Sequence, residues 1–175
     1  MKFINKSLIV AALTAVSSVV AMAQTPDTTA LQKKVRHELA MMPYFTVFDN
    51  LSYRIDNGVV TLMGEVTRPV LKSDAEHRVA HIEGVRGVVN TIEVLPASPF
   101  DDRIRLAAFR GIYGYGPLQR YALGTNKSIR IIVKNGNISL VGVVDTQMDK
   151  NLANIRANMI PGVFSVSNDL QVSRS

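Results

Sequence analysis

Leu51, Tyr53 and Ile55 alternate with Ser52, Arg54 and Asp56, the two-residue period of a strand with one buried face. Asn57-Gly58 follows, a pair in which both residues tolerate positive φ, and predicts a tight hairpin. Val59 to Val66 reads as the return strand, where Gly64 marks a bulge or a close backbone approach. Pro69 suits the first turn of a helix. Leu71, Ala75, Val79 and Ile82 then lie on one helical face, and Gly84 is expected to cap the helix end. Val88 to Val94 predicts a third strand. Upstream, Leu31, Val35 and Leu39 form the stripe of an amphipathic helix.

The same pattern occurs twice. Asn57-Gly58-Val59-Val60-Thr61-Leu62-Met63-Gly64 recurs as Asn135-Gly136-Asn137-Ile138-Ser139-Leu140-Val141-Gly142, and Gly84-Val85 recurs as Gly162-Val163. Val88, Asn90, Ile92 and Val94 recur as Val166, Asn168, Leu170 and Val172, all at an unbroken offset of 78 positions. Such register indicates duplication. In the second copy Ile129, Ile131 and Val133 start the hairpin, Ile138 to Val144 returns, and a helix is predicted over Thr146 to Met159, with Pro161-Gly162 at its end. Asp101-Asp102 is expected to cap a preceding helix carrying Ile104, Ala108 and Ile112. Each copy thus reads α-β-β-α-β, predicting an α+β protein of two tandem units over 28–96 and 99–175. The short stiff connector Pro96-Ala97-Ser98-Pro99 is expected to hold them close together.

The N-terminus has its own logic. Lys2 and Lys6 precede an apolar run from Leu8 to Val20, and Ala21-Met22-Ala23 fits a small-x-small cleavage site. Residues 1–23 are therefore expected to be a cleavable signal peptide for export. The chain has no cysteine, which excludes disulfides, thiolate metal sites, a cysteine nucleophile and a lipidated cysteine. Net charge is +6, unevenly spread: residues 24–96 hold eight basic and nine acidic side chains, residues 97–175 ten and five. The basic half favours an anionic partner. Nucleic acid is not expected outside the cytoplasm, which leaves anionic lipid surfaces or acidic proteins.

The Asn-Gly-x-Val/Ile-Thr/Ser-Leu-x-Gly hairpin and the Gly-Val-x-x-Val-x-Asn-x-Leu/Ile-x-Val ending resemble the BON domain family. The resemblance implies, for each copy, a three-stranded mixed sheet packed on two helices. It also implies a periplasmic protein of envelope maintenance and osmotic or envelope stress that binds phospholipid. A lipid-anchored relative contacts anionic lipid through the first helix of its second domain; this chain lacks the anchoring cysteine, so stable tethering is not expected. The shared glycines and asparagines read as scaffold: Asn90 and Asn168 are expected to satisfy backbone groups of a neighbouring loop.

Function is sought where the copies differ. The segment from Asp102 to Tyr113 carries a second apolar row, Leu106, Phe109 and Tyr113, among Arg103, Arg105 and Arg110; Tyr115, Arg120 and Tyr121 follow in a loop longer than its counterpart. Aromatic side chains among guanidiniums suit a membrane interface. Arg103, Arg105, Leu106, Phe109, Arg110, Tyr113, Tyr115 and Arg120 are therefore the expected lipid- or partner-binding residues. The alternatives are that this row packs against the first unit or the longer loop, or that the protein is an interaction or chaperone-like module for envelope proteins. Gly111, Gly114 and Gly116 follow a helix and lack Gly-Lys-Ser/Thr, so they form no phosphate loop. His77 and His81 share one helical face beside Glu76, but His37 stands alone on another helix, so no metal site is expected. No Gly-x-Ser-x-Gly elbow or repeated carboxylate pair occurs, and neither enzymatic activity nor a cofactor is expected. The mature chain is expected to be a monomer without a membrane span.

Overall fold

A computed structural model describes residues 28–123 and 128–173; the predicted signal peptide lies outside them. Helix α1 (Thr28–Ala40) leads into β1 (Asn50–Asp56), which pairs antiparallel with β2 (Val59–Val66), Tyr53 opposite Leu62. Asn57 and Gly58 close this hairpin at φ 49° and 83°, as the dipeptide requires. Helix α2 (Pro69–Ala80) returns the chain to β3 (Gly87–Asn90) and β4 (Glu93–Val94), both parallel to β2. These two are one strand broken at Thr91-Ile92, where Thr91 donates to the Leu62 carbonyl through both its N–H (2.9 Å) and its hydroxyl (2.7 Å).

The second unit repeats the design: α3 (Pro99–Tyr113), a 3₁₀ helix (Gly116–Ala122), β5 (Ile129–Lys134), β6 (Asn137–Val144), α4 (Gln147–Asn158) and β7 (Ser165–Val172). Strand β6 is central, antiparallel to β5 and parallel to β7. The bounds of β2, α2 and the third strand each recur 78 positions later in β6, α4 and β7. The chain is therefore α+β, with two mixed sheets, each packed against its own pair of helices.

Two details of local structure depart from the sequence reading. Helix α3 starts two residues before the expected aspartates: Ser98 is its N-cap, accepting from the Asp101 N–H at 3.2 Å, and Pro99 fills the first turn. Helix α2 is C-capped by His81, and Gly84, at φ 96°, shapes the turn beyond it.

Each unit has its own core. In the first, Val35, Leu71, Ala75, Val79 and Val60 are fully enclosed; in the second, Ala108, Ile112, Ile129, Ile131 and Leu140 are. Each large apolar side chain so enclosed stabilises the fold by about 1.5–3 kcal/mol. Val47, although it precedes β1, packs into the second core, and Phe48 reaches Phe109 edge-on at 6.3 Å between ring centroids. The units also meet where Arg130 donates to the Thr46 carbonyl (2.9 Å) and where Lys134 pairs with Glu93 (2.6 Å).

Candidate functional site

Helix α3 has one face committed to the fold and another open to solvent. Ile104, Ala108 and Ile112 are buried against the sheet, and two of the expected site residues join them. Arg105, only 5% exposed, donates from Nη2 to the Val133 carbonyl at 2.7 Å and pairs with Asp102 at 2.5 Å. Its Nε is the one buried side-chain polar atom without a partner among the described residues. Tyr113, 4% exposed, donates its hydroxyl to the Ile129 carbonyl. Burial raises its pKa far above the ordinary phenol value, so the hydroxyl keeps its proton.

These contacts have a common purpose. In an antiparallel pair, alternate residues turn their backbone groups away from the partner strand. On β5 those residues are Ile129, Ile131 and Val133, because the Ile131 N–H donates outward to the Val47 carbonyl at 2.9 Å. Tyr113, Val47 and Arg105 therefore seal the outer edge of the second sheet. Such an edge left bare invites pairing with another chain. Arg105 and Tyr113 are thus edge-sealing residues and are not presented to a partner at the surface.

The other expected residues divide similarly. Phe109 is half-buried between Phe48 and Tyr113, so the apolar row packs largely inward. Tyr115 is half-buried beneath the Arg156 guanidinium, 5.0 Å above its ring. Arg120 is committed to Asp145 (3.2 Å) and Asp149 (2.5 Å), with Tyr121 donating to the same Asp149 carboxylate at 2.9 Å. This network ties the 3₁₀ helix to the N-terminus of α4, whose N-cap Thr146 also donates its hydroxyl to Asp149. Burial opposes ionisation of Asp149, but the hydrogen bonds from Thr146 and Tyr121 and the Arg120 charge together hold its pKa below the usual carboxylate value.

Arg120 is exposed but tied up in these ion pairs; three further expected residues reach the surface. Arg103, Leu106 and Arg110 lie at helical spacing on the outward face of α3, and Leu106 is 47% exposed. Phe100 extends this row by one turn, with the Arg103 guanidinium 5.9 Å from its ring centroid. Phe164, 75% exposed, lies alongside at 6.0 Å between centroids. Among the described residues, neither Arg103 nor Arg110 pairs with a carboxylate. Sequence reasoning missed both phenylalanines. Phe100 fell outside a helix started too late; with Ser98-Pro99 read as the start, its spacing to Arg103 and Leu106 would have revealed it. Phe164 was visible as the aromatic that replaces Arg86 at the repeat-equivalent position.

The histidines are also rearranged. His37 shares a groove between α1 and α2 with His77 and His81, whose rings lie 4.4 Å apart. Across this groove Lys34 pairs with Glu83 and Arg78 with Glu38. Among the described residues, no group of three or more His, Cys, Asp or Glu could hold a metal ion. None of the described helices is long and apolar enough to cross a membrane.

Comparison with known proteins places this architecture. The family model of the BON domain matches residues 27–96 and 120–174. The chain belongs to the BON domain family. All of α3 and its outward row fall within residues 97–119, between the two matched segments, so the BON pattern covers the repeated hairpins better than the divergent helix. No curated protein matches the chain. Two solved structures of CdsD, a structural protein of the type III secretion system of Chlamydia trachomatis, overlap it at 12% identity. One, of the C-terminal domain, covers 82% of this chain and 98% of its own length with a TM-score of 0.34. The other covers 83% and 94% with a TM-score of 0.32.

Proposed function

We propose that this BON protein is an exported, non-enzymatic envelope protein that docks reversibly on anionic phospholipid through the outward face of α3. In this reading residues 1–23 direct export and are removed, and 28–96 and 99–175 form the two BON units of a periplasmic monomer serving envelope maintenance under stress. The observation that carries it is the row Phe100, Arg103, Leu106 and Arg110, flanked by Phe164. Two apolar rings and a leucine stand in solvent, interleaved with two guanidiniums that have no carboxylate partner among the described residues. Rings of this kind enter the headgroup boundary while guanidiniums pair with phosphate. Each basic residue near an anionic surface contributes about 1 kcal/mol. The expected docking residues thus contract to Arg103, Leu106 and Arg110, joined by the two phenylalanines.

Co-sedimentation with phosphatidylglycerol-containing and phosphatidylcholine vesicles tests this. The protein should pellet with the anionic vesicles at low salt and be released at high salt. Arg103→Glu combined with Arg110→Glu should weaken recovery at least about tenfold. Equal recovery with neutral and anionic vesicles would refute it.

A further inference from the structure

The two copies treat the same strand edge in opposite ways. On β5, one outward group of each residue is taken: the Ile129 carbonyl by Tyr113, the Ile131 N–H by Val47 and the Val133 carbonyl by Arg105. The repeat-equivalent residues on β1 are Leu51, Tyr53 and Ile55, and their register against β2 matches that of β5 against β6. Their backbone groups therefore face outward too, yet among the described residues nothing bonds to that edge. Exposure follows the difference. Ile129, Ile131 and Val133 are fully buried, whereas Leu51, Tyr53 and Ile55 are only half-buried.

Beside this open edge runs a groove of about 540 Å³ between α1 and β1. Leu39, Phe45, Leu51 and Tyr53 supply its apolar wall, and Arg36 from α1 and Arg130 from the second unit supply charge. No carboxylate lines it. Arg36 is exposed, without an ion pair among the described residues. Arg130 lies over the Phe45 ring at 4.6 Å.

We propose that the β1 edge accepts an extended polypeptide segment with apolar side chains on alternate positions and aspartate or glutamate near its ends. Strand addition satisfies the outward backbone groups, and alternate side chains of the guest fill the wall below. The contact between Val47 and Ile131 is the molecule's own example of a carbonyl placed on this edge; Tyr53 offers the equivalent N–H. The guest's carboxylates meet Arg36 and Arg130, which fixes a preference for acidic segments.

The test is an NMR titration of the ¹⁵N-labelled protein with the capped peptide Asp-Phe-Thr-Val-Thr-Phe-Asp, whose apolar side chains fall on alternate positions. Shift changes should gather at Leu51, Tyr53 and Ile55. Replacing both aspartates by lysine should weaken binding at least about tenfold, as should Arg36→Glu, an exposed substitution that leaves the core intact. Methylating alternate peptide amides should abolish binding. No binding up to about 1 mM, changes confined to the outward face of α3, or affinity indifferent to Arg36→Glu would each overturn the proposal. Concentration-dependent shifts at β1 without peptide would also overturn it, because the edge would then serve a second copy of this chain.

Discussion

The Asn168 side-chain amide donates to the Lys150 carbonyl at 2.8 Å, tying β7 to the first turn of α4. Asn90 does the same to Lys72 at 2.9 Å, 78 positions earlier. The side-chain oxygens accept in turn from Leu170 and Ile92 two residues on. The asparagine therefore satisfies a helix carbonyl as well as an N–H two residues on, which explains why the amide stands on the strand's otherwise apolar face. Asn168→Ala should cost about 1–3 kcal/mol, because a half-buried carbonyl and N–H lose their partner. Urea unfolding would show this as a lower midpoint at unchanged slope.

Gly142 permits no side chain. It stands at φ 128°, and a Cβ there would lie 1.9 Å from the Ser128 carbonyl oxygen; at Gly64 the corresponding distance, to Asn50, is 2.1 Å. Both positions combine a backbone conformation closed to L-residues with a backbone clash. Gly142→Ala should destabilise by at least about 2–3 kcal/mol. A thermal scan would record a large fall in Tm or failure to fold; an unchanged Tm would contradict the close approach.

The sealed edge of β5 makes a graded prediction. Tyr113→Phe removes only the hydroxyl donor to Ile129 and should cost about 1 kcal/mol. Arg105→Ala strips the donor from the Val133 carbonyl and empties buried volume, and should cost more, about 2–3 kcal/mol. Chemical denaturation resolves the two, and neither variant should alter the first sheet's amide spectrum.

Asp149 supplies a pH signature. Its folded-state pKa lies below the unfolded value, so its contribution to stability is present above about pH 4 and is lost as pH falls through the lowered folded pKa. Asp149→Asn should cost about 2 kcal/mol at neutral pH. The gap in Tm between wild type and variant should close as acid protonates the wild-type carboxyl. A gap independent of pH would show that ionisation of Asp149 contributes nothing.

The repeated elements were legible because hydrophobic alternation, Asn-Gly turns and strand glycines encode local geometry, and the fixed offset tested each reading against its twin. Helix α3 was harder. Its arginines look alike in sequence, but Arg105 falls on the side facing Val133 while Arg103 and Arg110 face solvent, a distinction of 100° per residue that depends on where the helix begins. Reading the cap at Asp101 instead of Ser98 hid Phe100. Asp101 is instead fully buried, accepting from the Asn135 and Gly136 N–H groups and so clamping the β5–β6 turn, a long-range contact no spacing announces. The meeting of His37 with His77 and His81 likewise required knowing how α1 lies on α2.

Val47 comes from the first copy, yet it closes a gap in the second. The duplicated halves are thus unequal partners: one lends a segment and the other depends on it. Severing the chain at the proline-rich joint would strip Ile131 of its acceptor and lay bare an apolar rim. The liberated C-terminal half would then be prone to stack rim to rim with its own kind, whereas the intact protein carries its own guard against that fate.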